Sequence, residues 1–119
     1  MSKKKFIFFP GLFLIILISM TTVNTKAHNP SNMSLSYDSN TKVLSVSITH
    51  TVTNPSSHYI EYVLIRVNGS TVLNQIYTSQ PSTSSFTYDY NITAGDRATI
   101  QVTASCSISG SITRSITIG

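Results

Sequence analysis

"YIEYVLIRVNGSTVLNQIY", residues 59–77, is two apolar runs joined by Asn68-Gly69. Tyr59 to Val67 is nearly continuous in apolar and aromatic residues, as in a central strand. Asn-Gly tolerates the positive φ angles of a type I′ turn, so the chain should reverse there and return as Thr71 to Tyr77. The same reading extends outward in both directions. Met33, Leu35 and Tyr37 alternate with polar residues, as do Leu44, Val46, Ile48, His50 and Val52. After the loop "TSQPSTSS" (residues 78–85), Phe86, Tyr88, Tyr90 and Ile92 alternate, and Ala94-Gly95-Asp96 turns the chain. Ala98, Ile100, Val102, Ala104, Cys106 and Ile108 form the longest alternating face, and Gly110 turns into Ile112, Ile116 and Ile118. Period-two alternation with short connections and almost no helical periodicity predicts an all-β fold, a seven-stranded immunoglobulin-like antiparallel sandwich. Residues 43–52, 59–67 and 98–108 should be its longest strands. The intersheet cysteine pair and core tryptophan of antibody domains are missing, since the chain has one Cys and no Trp.

The first 27 residues stand apart from this pattern. Lys3 to Lys5 precede an apolar run from Phe6 to Met20, the layout of a secretory signal. As a helix, the run extended to Val23 would span about 27 Å at 1.5 Å per residue. That is close to the roughly 30 Å of a hydrocarbon core. Residues 1–27 are therefore read as a signal peptide or an N-terminal membrane anchor, with residues 28–119 as the exported domain. A cleavage site after Ala27 would make His28 the new N-terminus. No cysteine lies near Met20, which argues against a lipid-anchored lipoprotein. The whole-chain charge of +4 belongs to the leading segment. From His28 onward, Lys42, Arg66, Arg97 and Arg114 balance Asp38, Glu61, Asp89 and Asp96. No basic patch argues for nucleic acid, and membrane contact is expected only through the N-terminal segment. Asn32, Asn68 and Asn91 begin Asn-x-Ser/Thr sequons, as chance allows in so Asn-, Ser- and Thr-rich a chain.

Three histidines and one cysteine are all the imidazole and thiol this chain has: His28, His50, His58 and Cys106. A lone cysteine excludes an internal disulfide. It leaves a buried thiol, an intermolecular disulfide or a metal thiolate. His50 and Cys106 each lie in phase with an apolar strand face, where a core residue would also lie. A buried histidine needs partners for both ring nitrogens, and no neighbour in sequence supplies them. His58 opens a strand after a loop containing Asn54 and Pro55, a natural mounting for a ligand.

"HYIEYVLIRVNG", His58 to Gly69, resembles the second-histidine segment of superoxide reductases, the desulfoferrodoxin iron-binding family. "TASCSISG", Thr103 to Gly110, resembles that family's terminal Cys-x-x-His-Gly segment. "KAHNPSN", Lys26 to Asn32, resembles its early Lys-His-x-Pro segment. The resemblance covers nearly all of residues 28–119, in order, and implies an immunoglobulin-like sandwich. It also implies a mononuclear non-haem iron held by His28, His50, His58 and Cys106, and reduction of superoxide to hydrogen peroxide. The chain departs from the family at Ser109, which stands where a fourth histidine ligand would be. It departs again at Ala27, which stands where the family's catalytic lysine would be, and the loop between His50 and His58 is longer than usual.

In such a site the imidazoles leave one face of the iron open to a small anion, and the thiolate opposite pushes electron density toward it. Three nitrogens and one sulfur also suit zinc, in a redox-inactive module. An N-terminal His28, through its amino group and ring, would suit copper. An adhesion or structural sandwich without a site is the remaining reading. No second Cys-rich domain occurs within these 119 residues, so an active protein would take electrons from an external donor. The sequence leaves the oligomeric state open.

Overall fold

The computed structural model describes residues 28–119. The signal or anchor segment, its cleavage site, Lys26 and Ala27 lie outside the described residues. The described chain forms seven strands. They are β1 (Asn32–Asp38), β2 (Val43–Thr49), β3 (Ile60–Val67), β4 (Ser70–Ile76), β5 (Ser85–Asn91), β6 (Thr99–Cys106) and β7 (Ser111–Thr117). One sheet has the order β1-β2-β5 and the other β4-β3-β6-β7, and every pairing is antiparallel. The expected seven-stranded sandwich is what forms.

Alternation puts one face of the central strands β2, β3 and β6 into the core. Leu44, Val46 and Ile48 of β2 face Ile60, Val63 and Ile65 of β3 and Ile100, Val102 and Ala104 of β6, all buried. Each such Val, Leu or Ile side chain removed from water stabilises the fold by about 1.5–3 kcal/mol. The β3–β4 hairpin is the expected turn, with φ of 50° at Asn68 and 86° at Gly69. Asn68 Oδ1 also accepts the Thr99 N–H at 3.0 Å, tying the turn to β6. The edges of the two sheets meet through tyrosines. Tyr77 stacks on Tyr88 at 4.4 Å, and the Tyr77 and Tyr90 hydroxyls lie 2.7 Å apart. Burial, with Tyr77 adding to it, pushes the Tyr88 hydroxyl up to about 12.

Two strands are shorter than the alternation predicted. β2 ends at Thr49 and β6 at Cys106. Past Thr49 the backbone leaves its strand partners, yet His50 and Val52 keep the inward phase because their N–H groups donate to Ser84 O and Thr83 O. Past Cys106 the phase is lost, since the Cys106 N–H donates to Gly110 O in a tight turn, and Ile108 is 58% exposed. A bulge between Ile60 and Tyr62 changes the inward phase of β3. Odd-numbered residues face the core from Val63 onward; upstream of the bulge Ile60 does, which keeps the Glu61 carboxylate out of it.

Antiparallel order gathers the chemistry. The start of β1 (Asn32) pairs with the end of β2 (Thr49), which also pairs with the start of β5 (Ser85). The start of β3 (Ile60) pairs with the end of β6 (Cys106). The segments carrying His28, His50, His58 and Cys106 therefore all emerge at one end of the sandwich. Ile65→Ala should cost about 2–5 kcal/mol in chemical denaturation, as a cavity in the core does. Ile108→Ala, which an unbroken alternation would have made equally costly, should stay within about 0.5 kcal/mol of wild type.

Candidate metal centre

His50 is fully buried, with 0% exposure. Its ring Nδ1 lies 2.8 Å from Gln80 Oε1 and its Nε2 lies 2.9 Å from the main-chain oxygen of His28. Gln80, itself 5% exposed, comes from the loop between β4 and β5. Its Nε2 donates to His50 O and to Ser82 O, both at 2.9 Å, while its Oε1 accepts the Ile60 N–H at 3.1 Å. Both ring nitrogens of His50 thus face oxygen acceptors. A metal at Nε2 would take the place of the His28 carbonyl beside that nitrogen.

His58 is placed by the loop before β3. Asn54 Oδ1 accepts the Ser56 N–H at 3.0 Å, and Asn54 O accepts the N–H groups of Ser57 and His58 at 3.2 and 3.0 Å. This is the local turn that Asn followed by Pro favours. The His58 ring meets His50 edge-on, with centroids 4.8 Å apart, and its Nε2 lies 3.0 Å from Cys106 Sγ. Loss of solvation, and then the nearby His50, hold the His58 ring below its ordinary value of 6.5, with the His28 main chain pulling the other way. A ring that prefers to be neutral is ready to donate its lone pair to a metal.

Cys106 is 2% exposed. The turn after it is fastened to the segment before β3, since Ser107 N–H donates to Tyr59 O at 2.8 Å and Tyr59 N–H to Ser107 Oγ at 3.2 Å. Ile108 N–H points at Cys106 Sγ from 3.5 Å.

The structure therefore brings His50, His58 and Cys106 together, with one ligand atom from each lying within 4.8 Å of the others. Two donors on one metal, with bonds of about 2.0–2.3 Å, lie at most about 4.4 Å apart. The three close onto a single ion with a small side-chain adjustment, so the residues present fit a metal. The His28 carbonyl contacts His50, and the three-residue group does not include the His28 ring. Ser109 Oγ is buried and has no hydrogen-bond partner. Asn29 closes the arrangement, its Oδ1 accepting Gly110 N–H at 2.7 Å. His28 and Asn29 also line a cleft of about 320 Å³ with Ser31 and Thr51.

Comparison with solved structures adds the fold's identity. The structure aligns with a substituted form of superoxide reductase (neelaredoxin) from Ignicoccus hospitalis over 75% of this chain and 79% of that one, with a TM-score of 0.50 and 9% identity. The chain has the superoxide reductase fold. A second structure of superoxide reductase (neelaredoxin) from Ignicoccus hospitalis aligns over 76% of this chain and 79% of its own, with a TM-score of 0.48 and 11% identity. Superoxide reductase from Nanoarchaeum equitans aligns over 84% of this chain and 100% of its own, with a TM-score of 0.45 and 11% identity. No protein-family profile matches the sequence, and neither does any curated protein.

Gln80 is the residue of this superoxide reductase fold that sequence reading missed. It sits in a Ser-rich loop without periodicity, and its partners lie 20 and 30 residues away. The one available signal was the unmet need of a buried His50 for two partners. His58 yields a pH prediction. Because its folded value is depressed, its neutral form contributes stability that is present above about 6.5 and lost as pH falls. Metal-free wild type should therefore lose more stability between neutral and mildly acidic pH than His58→Gln, measured by urea midpoints.

Proposed function

We propose that residues 28–119 form an exported mononuclear iron protein that reduces superoxide to hydrogen peroxide. The observation that carries this reading is the convergence of His50, His58 and Cys106 at one end of a superoxide reductase fold. Bound ferrous iron would supply the single electron that superoxide takes up with two protons. Cys106 offers a thiolate, with Ile108 N–H at 3.5 Å tempering its charge. His50 and His58 offer ring nitrogens, and burial of His50 and Cys106 keeps bulk water off the donor atoms. An external donor restores the electron after each turnover. Export rests on the basic and apolar residues 3–20, and N-terminal sequencing of the mature protein tests it.

The donor set itself supports a second reading. Two imidazoles and one thiolate with an open fourth position are what zinc accepts in tetrahedral coordination. Metal analysis and optical spectra of the purified protein separate the two. The iron reading requires about one iron per chain and a thiolate-to-iron charge-transfer band on oxidation, absent in Cys106→Ser. A colourless protein that retains zinc and is inert to superoxide supports the second. Undiminished metal content in both His50→Ala and Cys106→Ser would overturn both. Ser109→His should shift preference from Zn(II) toward Fe(II) in competition titrations, because a further imidazole favours higher coordination over the tetrahedron.

A further inference from the structure

We infer that Gln80 is a positioning residue of this centre: its side-chain oxygen holds the His50 hydrogen on Nδ1 and makes Nε2 the ligating nitrogen. The inference rests on the metal-centre reading above and adds a residue to it. The orientation of the Gln80 amide follows from its surroundings. Its Nε2 lies 2.9 Å from two carbonyl oxygens, His50 O and Ser82 O, so that end must donate. Its Oε1 lies 3.1 Å from the Ile60 N–H, so that end must accept. Exchanging the two ends would set oxygen against two carbonyls and an NH₂ group against an N–H. With the amide so fixed, the His50 nitrogen 2.8 Å from Oε1 can make a favourable contact only as a donor. The His28 carbonyl, 2.9 Å from Nε2, competes for the one hydrogen of a neutral ring, and Gln80, held by three further hydrogen bonds to β2, β3 and its own loop, is the better-fixed acceptor.

The tautomer decides which atom meets a metal. An unconstrained neutral imidazole carries its hydrogen more often on Nε2, which would leave the lone pair on Nδ1, turned toward Gln80. Gln80 reverses that preference. It also sets the ring's rotation, because it is anchored at once to the end of β2 through His50 O and to the start of β3 through Ile60 N–H. A ligand imidazole donating its other N–H to a fixed acceptor is the general means by which proteins orient such rings and raise their basicity. Here the acceptor is a neutral amide carried by a third segment, the loop before β5, and Gln80 N–H fastens that loop to Pro55 O at 3.1 Å, in the loop that carries His58. Gln80 therefore joins the placement of both histidines.

The test is the ¹⁵N spectrum of the His50 ring in the metal-free full-length protein, at a pH where imidazoles are neutral, beside Zn(II) affinity measured against a competing chelator. In wild type Nδ1 should carry the hydrogen; a predominantly Nε2–H ring overturns the proposal, whatever metal the protein binds. Gln80→Met removes the acceptor and both donors. It should release the ring toward Nε2–H and weaken Zn(II) binding by about 10–100-fold. Gln80→Glu keeps an acceptor toward Nδ1 but loses the donors to His50 O and Ser82 O. It should be less stable than wild type yet retain Nδ1–H and most of the affinity. Equal losses of affinity in the two variants with an unchanged tautomer in both would mean that Gln80 only braces the loop, and would overturn the proposal. If Gln80→Met fails to fold, wild type and Gln80→Glu decide, since both must show Nδ1–H. Wild type that shows Nδ1–H but binds no Zn(II) or Fe(II) removes the metal centre and this role with it.

Discussion

A fully buried imidazole costs several kcal/mol unless its nitrogens find partners. The end of this sandwich is organised around meeting that cost at His50. Gln80 leaves its loop to reach Nδ1, and the His28 carbonyl faces Nε2. The contacts that satisfy the ring also hold the surrounding segments. The loop before β5 is fastened to the ends of β2 and β3, and the strap before β1 lies across the same place. Removing the imidazole would leave Gln80 Oε1 with the Ile60 N–H alone. Replacing it with an apolar residue is therefore no simple gain in hydrophobicity.

The sandwich supports this arrangement without taking part in its chemistry. Its core is mostly aliphatic, with Phe86 and Tyr90 added, and alternation accounts for most of it. The bulge in β3 and the tight turn after Cys106 are the two local departures that matter, and both lie beside the cluster. The first keeps the Glu61 carboxylate away from the core. The second ends β6 at the thiol and aims a backbone N–H at Sγ. Bulges and turns of this kind are common where a sheet must re-aim a side chain. An immunoglobulin-like sandwich hosts many functions, so the chemistry is argued from these ends and not from the sheets.

Most of the fold was legible because most strands bury one face, and burial imposes period two. Legibility stopped where main-chain contacts outweigh side-chain pattern. Ile108 is in phase with Cys106 in sequence, yet the Cys106–Gly110 turn carries it into solvent. His50 and Val52 keep their phase although β2 has already ended. The cluster was legible in part because His and Cys are rare here and signal by their presence. The same reasoning assigns His28 through its ring and has no means of anticipating a carbonyl. Gln80 is invisible for a similar reason: a glutamine in a Ser-rich loop carries no pattern, and its meaning comes only from partners distant in the chain.

The central claim is that one metal ion binds His50, His58 and Cys106 together. X-ray absorption of the iron-loaded or zinc-loaded protein reads that directly. The expected result is one sulfur neighbour at about 2.3 Å with at least two imidazole nitrogens at about 2.0–2.1 Å. Cys106→Ser should remove the sulfur shell alone. A first shell of oxygen and nitrogen without sulfur in the wild-type protein would contradict the account.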